Sequence, residues 1–155
     1  MTKEEALVLK QKLRQACVDS LEKRLKDIKT ALEEAQEAAN QETKSSAGDK
    51  HETGRAMMQL ETEKLSRQLQ EVLNEQQALQ MIRADQPKQS VDRGALVITN
   101  HLKLYMAISA GRLLLQGEEY FAISLNTPLG LALKGKKAGD TVVFQNKTHE
   151  ILQIF

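Results

Sequence analysis

The sequence is poor in several residue types, and each shortage excludes a class of protein. Cys17 is the single cysteine, which rules out an intrachain disulfide and a cage of thiolates around a metal. There is no tryptophan and only 3% of the residues are aromatic, so a deep aromatic pocket for a small substrate is not expected. The net charge of +1 gives no general attraction to nucleic acid or to anionic lipid.

Long apolar runs are missing as well. No segment approaches the roughly 18 apolar residues that a membrane span requires. The first residues, Met-Thr-Lys-Glu-Glu, also lack the basic-then-apolar order of a signal peptide. We therefore expect a soluble, cytoplasmic protein without a membrane partner.

The composition changes near residue 85. Residues 1–85 contain no proline, two glycines, 14 basic and 16 acidic side chains, whereas the remainder contains both prolines, six glycines, 8 basic and 5 acidic side chains. This change predicts an α+β chain in three parts. They are an antiparallel coiled-coil hairpin over residues 1–85, a linker over 86–90 and a small β-rich domain over 91–155.

Apolar residues in the first part repeat at helical spacing. From Leu21 to Ala39 they are separated alternately by four and three residues, and a second stripe runs from Met58 to Leu79. Pairing the two stripes about residues 47–48 matches apolar positions along their whole length, which predicts an antiparallel pair of long helices with its tip at about residues 43–52. We expect two further leucines to widen the second stripe, Leu60 and Leu73.

The last part has the pattern of short strands. We predict five strands, at about residues 94–99, 104–109, 120–124, 141–145 and 149–154. Thr127 followed by Pro128 is a helix-start signal, which predicts one short helix over residues 128–133.

Candidate functional residues cluster at the predicted tip, where Asp49 and Glu52 lie three positions apart. This spacing fits a capping box, in which both side chains satisfy backbone N–H groups at a helix start. It also fits two exposed carboxylates that share Mg²⁺ with the active site of another macromolecule, since Mg²⁺ takes one or two carboxylates beside phosphate oxygens and water. Three basic residues surround the pair: Lys44, Lys50 and Arg55.

Two stretches of the chain resemble bacterial transcript-cleavage factors of the Gre type. Residues 48–52, Gly-Asp-Lys-His-Glu, match the acidic tip of that family's hairpin. Residues 124–140 are similar to its Ser-Pro-(Leu/Ile)-Gly-x-Ala-Leu-Leu-Gly-Lys-x-x-Gly-Asp signature. The resemblance extends over nearly the whole chain.

The resemblance implies an FKBP-like C-terminal domain that docks on RNA polymerase while the hairpin enters the secondary channel. Asp49 and Glu52 would assist catalysis by holding Mg²⁺ jointly with the polymerase, which then cleaves its own backtracked RNA. The chain itself would be no enzyme, would contact nascent RNA only indirectly and is expected to be a monomer. The residues expected to contact the partner are the three basic tip residues together with Pro128, Leu129 and Gly130.

The tip departs from the family pattern after Glu52. The family continues Glu-Asn-x-Glu-Tyr, whereas Glu52 is followed here by Thr-Gly-Arg-Ala. Two alternatives therefore stay open. One is a non-catalytic regulator or inhibitor that occupies the same channel, and the other is a structural coiled-coil adaptor.

Overall fold

The computed structural model describes residues 1–44 and 48–155, and the side chains of residues 1–41 and 52–155. Two long helices precede a six-stranded sheet and a short helix, which confirms the predicted α+β class. The elements in chain order are α1 Lys3–Lys44, α2 Gly48–Gln80, β1 Leu96–Thr99, β2 Lys103–Met106, β3 Gly111–Leu115, β4 Glu118–Ile123, α3 Pro128–Leu133, β5 Thr141–Phe144 and β6 Lys147–Ile154.

Helices α1 and α2 form a long antiparallel hairpin. An ion pair joins Arg24 on α1 to Glu75 on α2 at 2.5 Å. Ten residues earlier on α1, Arg14 donates a hydrogen bond to the backbone oxygen of Leu79, which lies later on α2. Because earlier positions on one helix meet later positions on the other, the two helices run in opposite directions.

The contacts within the chain divide it into two compact units. We call Leu21–Glu75 the helical unit, and Met1–Ser20 together with Gln76–Phe155 the mixed unit. The domain boundaries predicted at residues 85 and 91 stay predictions of the sequence. None of the helices in the described part of the chain combines the length and apolar character that a bilayer span requires.

The predicted apolar stripes are buried at three positions of the helical unit and half-buried at the others. Leu21, Leu65 and Val72 are buried, and they lie at positions that the alternating spacing assigned to the seam. The expectation that Leu60 and Leu73 widen the stripe is wrong, because these side chains are 65% and 38% exposed. At 3.6 residues per turn, Leu60 lies about 140° around the helix axis from Leu65, which turns it away from the seam.

The mixed unit is built on a sheet with the strand order β3-β4-β2-β1-β6-β5. Neighbouring strands are antiparallel except for β2 and β4, which are parallel. The expected number of five strands is wrong, because β3 was not anticipated. Its sequence, Gly-Arg-Leu-Leu-Leu, does not alternate in polarity, and of its five residues only Leu113 is buried.

Both faces of the sheet carry buried side chains. One face packs in a core cluster with Leu133 of α3. The other face carries Tyr105, which is fully buried and interacts electrostatically with Cys17 and Arg14 of α1. The core cluster consists of Val91, Ala95, Val97, Leu104, Met106, Leu125, Leu133, Val142 and Ile151.

Candidate functional site

The acid pair of the tip belongs to the start of α2. The helix begins at Gly48, so positions 49 and 52 both lie in its first turns, about one turn apart. Glu52 is exposed and makes no ion pair with any residue whose side chain the structure describes. The side chains of Asp49 and His51 lie outside the described residues.

The basic residues predicted around the pair are described only in part. Arg55 is exposed on α2, one turn after Glu52, whereas the side chains of Lys44 and Lys50 lie outside the described residues. Among the described side chains, no three of the types His, Cys, Asp and Glu come together in a way that could hold a metal ion. The roles assigned to the tip residues therefore stay predictions.

The residues after Glu52 continue α2 without a break, although they include Gly54. Glycine inside a helix costs about 1 kcal/mol relative to alanine, because it loses more backbone freedom on folding. The first turns of α2 are thus intrinsically weaker than the Leu-containing turns that follow.

The second candidate surface is α3, and its start follows the predicted signal. Thr127 caps the helix: its hydroxyl oxygen accepts a hydrogen bond from the N–H of Gly130 at 3.1 Å and donates to the carbonyl oxygen of Ser124 at 2.7 Å. Pro128 occupies the first turn, where its missing N–H costs nothing. The predicted cap and helix are confirmed.

Gly130 lies where α3 comes closest to the preceding segment. A Cβ atom at this position would stand 2.2 Å from the carbonyl oxygen of Ser124 and 2.8 Å from the Cα of Leu125. Since real Cβ atoms do not approach backbone that closely, glycine is required here for packing. Gly130 is buried, whereas Pro128 is exposed and Leu129 is half-buried against the core cluster.

The outward side of α3 carries an apolar residue that the sequence did not single out. Leu131 is 61% exposed, although its neighbours two positions away on either side, Leu129 and Leu133, pack against or within the core cluster. Because α3 is only six residues long, no periodic signal could distinguish the exposed leucine from the buried ones. The predicted contacts of α3 with a partner stay predictions.

The segment after α3 is held by backbone hydrogen bonds. The N–H of Gly135 donates to the oxygen of Val91, and the N–H of Val91 donates to the oxygen of Lys136, both at 2.8 Å. Further along, a carboxylate oxygen of Asp140 accepts from the N–H of Lys137 at 2.8 Å. In this segment, the side chain of Asp140 therefore has a structural role, whereas the bonds at Gly135 and Lys136 involve backbone atoms only.

Comparisons with known proteins give a distant structural likeness. No family model matches the chain, and no curated protein matches it. Among solved structures, it is similar to GreA factor homolog 1 of Thermus thermophilus, with 16% identity over 88% of this chain and 93% of that one and a TM-score of 0.37. A likeness at this level does not distinguish one function from another.

Two basic residues of the mixed unit, one buried and one half-buried, were not predicted from the sequence. Lys10 is fully buried, and its ammonium group donates to the backbone oxygens of Gln86 at 2.6 Å and of Phe155 at 3.2 Å. Arg14, one turn later, donates to the backbone oxygen of Ile82 at 3.3 Å. The sequence does contain a pattern that indicates burial of Lys10. Lys10 lies four residues after Ala6 and three before Leu13, so it continues the helical spacing of the buried residues Ala6, Leu13 and Cys17.

The surroundings of Lys10 perturb its titration. Burial, followed by the positive charge of Lys88, lowers the pKa of Lys10 to about 8, while the carboxylate of Asp85 acts in the opposite direction. The two backbone oxygens that accept from the ammonium group hold it in place. Lys10 therefore acts as a fixed tie between α1 and the two chain segments around Gln86 and Phe155.

The mixed unit also has an open cleft of about 630 Å³ beside the start of α1. Glu5 on its rim is engaged in a capping box, in which its N–H donates to the hydroxyl of Thr2 at 3.1 Å and its carboxylate accepts from the N–H of Thr2 at 2.8 Å. Among the described residues, the lining of the cleft includes no histidine or cysteine. It consists of Met1, Glu4, Glu5, Val8, Leu9, Lys12, Gln116 and Tyr120.

Proposed function

We propose that this chain is a Gre-type transcription elongation factor that binds RNA polymerase, inserts the tip of its helical hairpin into the secondary channel and stimulates cleavage of backtracked RNA. The proposal is carried by one observation. An acid pair, positions 49 and 52, stands in the first turns of α2, where the second of two long antiparallel helices begins, and Glu52 is exposed there.

The helical unit suits delivery of a side chain into a narrow space. Residues 21–44 of α1 number 24, which at about 1.5 Å per residue gives a helix of roughly 36 Å. Two helices side by side are about 20 to 24 Å across, since each is about 10 to 12 Å wide with its side chains. A channel too narrow for a globular domain can admit such a pair.

Two carboxylates are the ligands that a weakly held Mg²⁺ requires. Mg²⁺ retains several waters and is held by one or two carboxylates with phosphate oxygens, so Asp49 and Glu52 would complete a coordination shell already begun by the polymerase and the RNA. Asp49 and Glu52 would hold this ion, and the chemistry it would supply is activation of a bound water and stabilisation of the leaving oxygen of the phosphodiester. The chain would thus supply ligands, and the polymerase would supply the rest of the site.

The test uses backtracked elongation complexes of the cognate polymerase with Mg²⁺. Addition of the protein should release short 3′ RNA fragments, and Asp49→Asn or Glu52→Gln should abolish their release. Glu61→Gln is the matched control, because Glu61 is an exposed acid on the same helix but lies beyond the tip. Intact RNA in complexes to which the protein demonstrably binds would refute the cleavage function.

A non-catalytic regulator of the same channel is the second candidate, and the residues after Glu52 favour it. Gly54 weakens the helix there, and the exposed Arg55 places a positive charge one turn from the acid. This candidate predicts polymerase binding with slower RNA synthesis that neither Mg²⁺ concentration nor Asp49→Asn changes. The direction of the effect on transcript cleavage separates the two candidates.

A structural adaptor that associates through the hairpin would need an apolar outer face. In the described part of α2, Met57 and Leu60 are 67% and 65% exposed and lie three residues apart, so they share one side of the helix. A stable homodimer that Leu60→Ala dissociates, with no binding to core RNA polymerase, would favour the adaptor over both polymerase-binding functions.

A further inference from the structure

Two histidines meet at one end of the sheet in the mixed unit. His149 lies on β6 and His101 lies in the turn between β1 and β2. Their ring centroids are 5.4 Å apart, and the ring planes are nearly perpendicular, at 84°. Neither residue belongs to the hairpin tip or to α3.

The backbone around the two rings is fixed by hydrogen bonds between the turn and β6. The N–H of Asn100 donates to the oxygen of Glu150 at 3.1 Å, and the side-chain oxygen of Asn100 accepts from the N–H of Glu150 at 3.0 Å. Each of these two residues is next to one of the histidines in the sequence. The distance between the histidine backbones is therefore set by the fold.

The ring of His149 contains a buried nitrogen without a hydrogen-bond partner. The side chain is 5% exposed, and its Nδ1 makes no hydrogen bond with the described residues. An orphaned buried nitrogen costs free energy unless something binds it. Burial, followed by the neighbouring His101 and Lys147, lowers the pKa of His149.

A neutral imidazole nitrogen is a preferred ligand of zinc, copper and nickel ions. The ring of His149 is held in place, whereas His101 is exposed and can rotate to meet an ion. No third side chain of the types His, Cys, Asp and Glu joins the pair among the described residues, so the remaining ligand positions fall to water or to backbone oxygens. Such a site binds more weakly than a structural zinc site with four protein ligands.

We propose that His101 and His149 together bind one Zn²⁺-like transition-metal ion, which ties the turn between β1 and β2 to strand β6. The site is separate from the Mg²⁺ ligands proposed for the hairpin tip. It does not depend on polymerase binding, so its failure would leave the proposed function untouched.

The competing explanation of the orphaned nitrogen involves no ion. In a perpendicular pair of rings, the Nδ1–H of His149 could donate to the face of the His101 ring, which is a weak hydrogen bond. That arrangement requires a proton on Nδ1, whereas metal binding through Nδ1 requires its lone pair. The two explanations predict opposite behaviour on addition of zinc.

The test is calorimetric titration of the full chain with ZnCl₂, accompanied by ¹⁵N spectra of the histidine rings. We expect one ion per chain and zinc-dependent shifts in the ring nitrogens of His101 and His149. His101→Ala should weaken binding by about tenfold or more, since even outer-shell changes weaken metal sites by about that factor. His51→Ala removes the third histidine of the chain and should leave the affinity unchanged.

Because His149 is buried, His149→Gln is interpreted only if its far-ultraviolet circular dichroism matches that of the unchanged protein. His101→Ala changes an exposed side chain, so it tests the proposal whether or not His149→Gln folds. No binding at millimolar zinc would overturn the proposal. Binding that His101→Ala leaves unchanged, or that His51→Ala abolishes, would overturn it as well.

Discussion

Replacement of Gly130 by alanine has two opposite effects on stability: a gain from helix propensity and a loss from packing. On propensity alone, Gly→Ala within a helix stabilises a protein by about 1 kcal/mol. In α3, however, the added Cβ would stand 2.2 Å from the carbonyl oxygen of Ser124. That oxygen already accepts the Thr127 hydroxyl at 2.7 Å, so it cannot move without disturbing the cap.

The packing cost exceeds the gain in propensity. Overpacking a well-packed site costs about 1 to 3 kcal/mol, and the upper end applies here because the atoms in the way belong to backbone rather than to a flexible side chain. The net expectation is a loss of about 2 kcal/mol in the free energy of unfolding. For a chain of this size, that corresponds to a melting temperature lower by about 4 to 8 °C.

Tyrosine fluorescence during urea unfolding measures this loss in the right part of the molecule. Both tyrosines of the chain, Tyr105 and Tyr120, lie in the mixed unit with Gly130, and there is no tryptophan to obscure them. Leu131→Ala is the matched control, because it changes an exposed side chain of the same helix and should alter stability by less than about 0.5 kcal/mol. A Gly130→Ala protein as stable as the unchanged chain would refute the packing argument.

Two further predictions concern the hairpin and the buried lysine. Leu65→Ala should lower the free energy of unfolding by about 2 to 5 kcal/mol, because Leu65 is buried between the two helices of the helical unit. Leu60→Ala changes an exposed residue of the same helix and should be nearly neutral. Equal losses of stability for the two variants in thermal unfolding would contradict the burial of Leu65 between the helices. The pKa of Lys10 is about 8 in the folded chain against 10.5 as its ordinary value, so between these pH values the unfolded chain binds the extra proton and stability rises with pH. The free energy of unfolding, measured in urea between pH 8 and 10.5, should rise more steeply with pH for the unchanged protein than for Lys10→Met. The same pH dependence in both proteins would show that Lys10 does not cause the rise.

Much of the fold could be predicted from local patterns. The seam between Leu21 and Ala39 follows from helical spacing, and the start of α3 follows from Thr127 and Pro128, because these features depend on neighbours in the sequence. Strand β3 was missed since its burial depends on its place at the edge of the sheet. Edge strands expose more of their side chains, so the alternation that would reveal them is lost.

The role of Lys10 could be predicted only in part. The helical spacing of apolar residues in α1 places Lys10 on the buried side. A lysine at such a position, however, is normally taken as a break in the apolar stripe. The backbone oxygens that satisfy it belong to residues 76 and 145 positions away. No local pattern supplies such partners, which is why buried polar groups are the part of a core that sequence reasoning finds last.

The acid pair lies at the start of α2, where a capping role and a role in binding Mg²⁺ both stay open. In either role, replacement of a carboxylate by its amide keeps the size of the side chain and removes its negative charge. The negative charge that is lost interacts with the helix N-terminus by about 0.3 to 1 kcal/mol, and this attraction falls off after the first turn, so it is weaker for Glu52 than for Asp49. Asp49→Asn and Glu52→Gln therefore leave the fold largely unchanged. A loss of transcript cleavage in these variants would report on the carboxylates themselves, because the helix that carries them would still form.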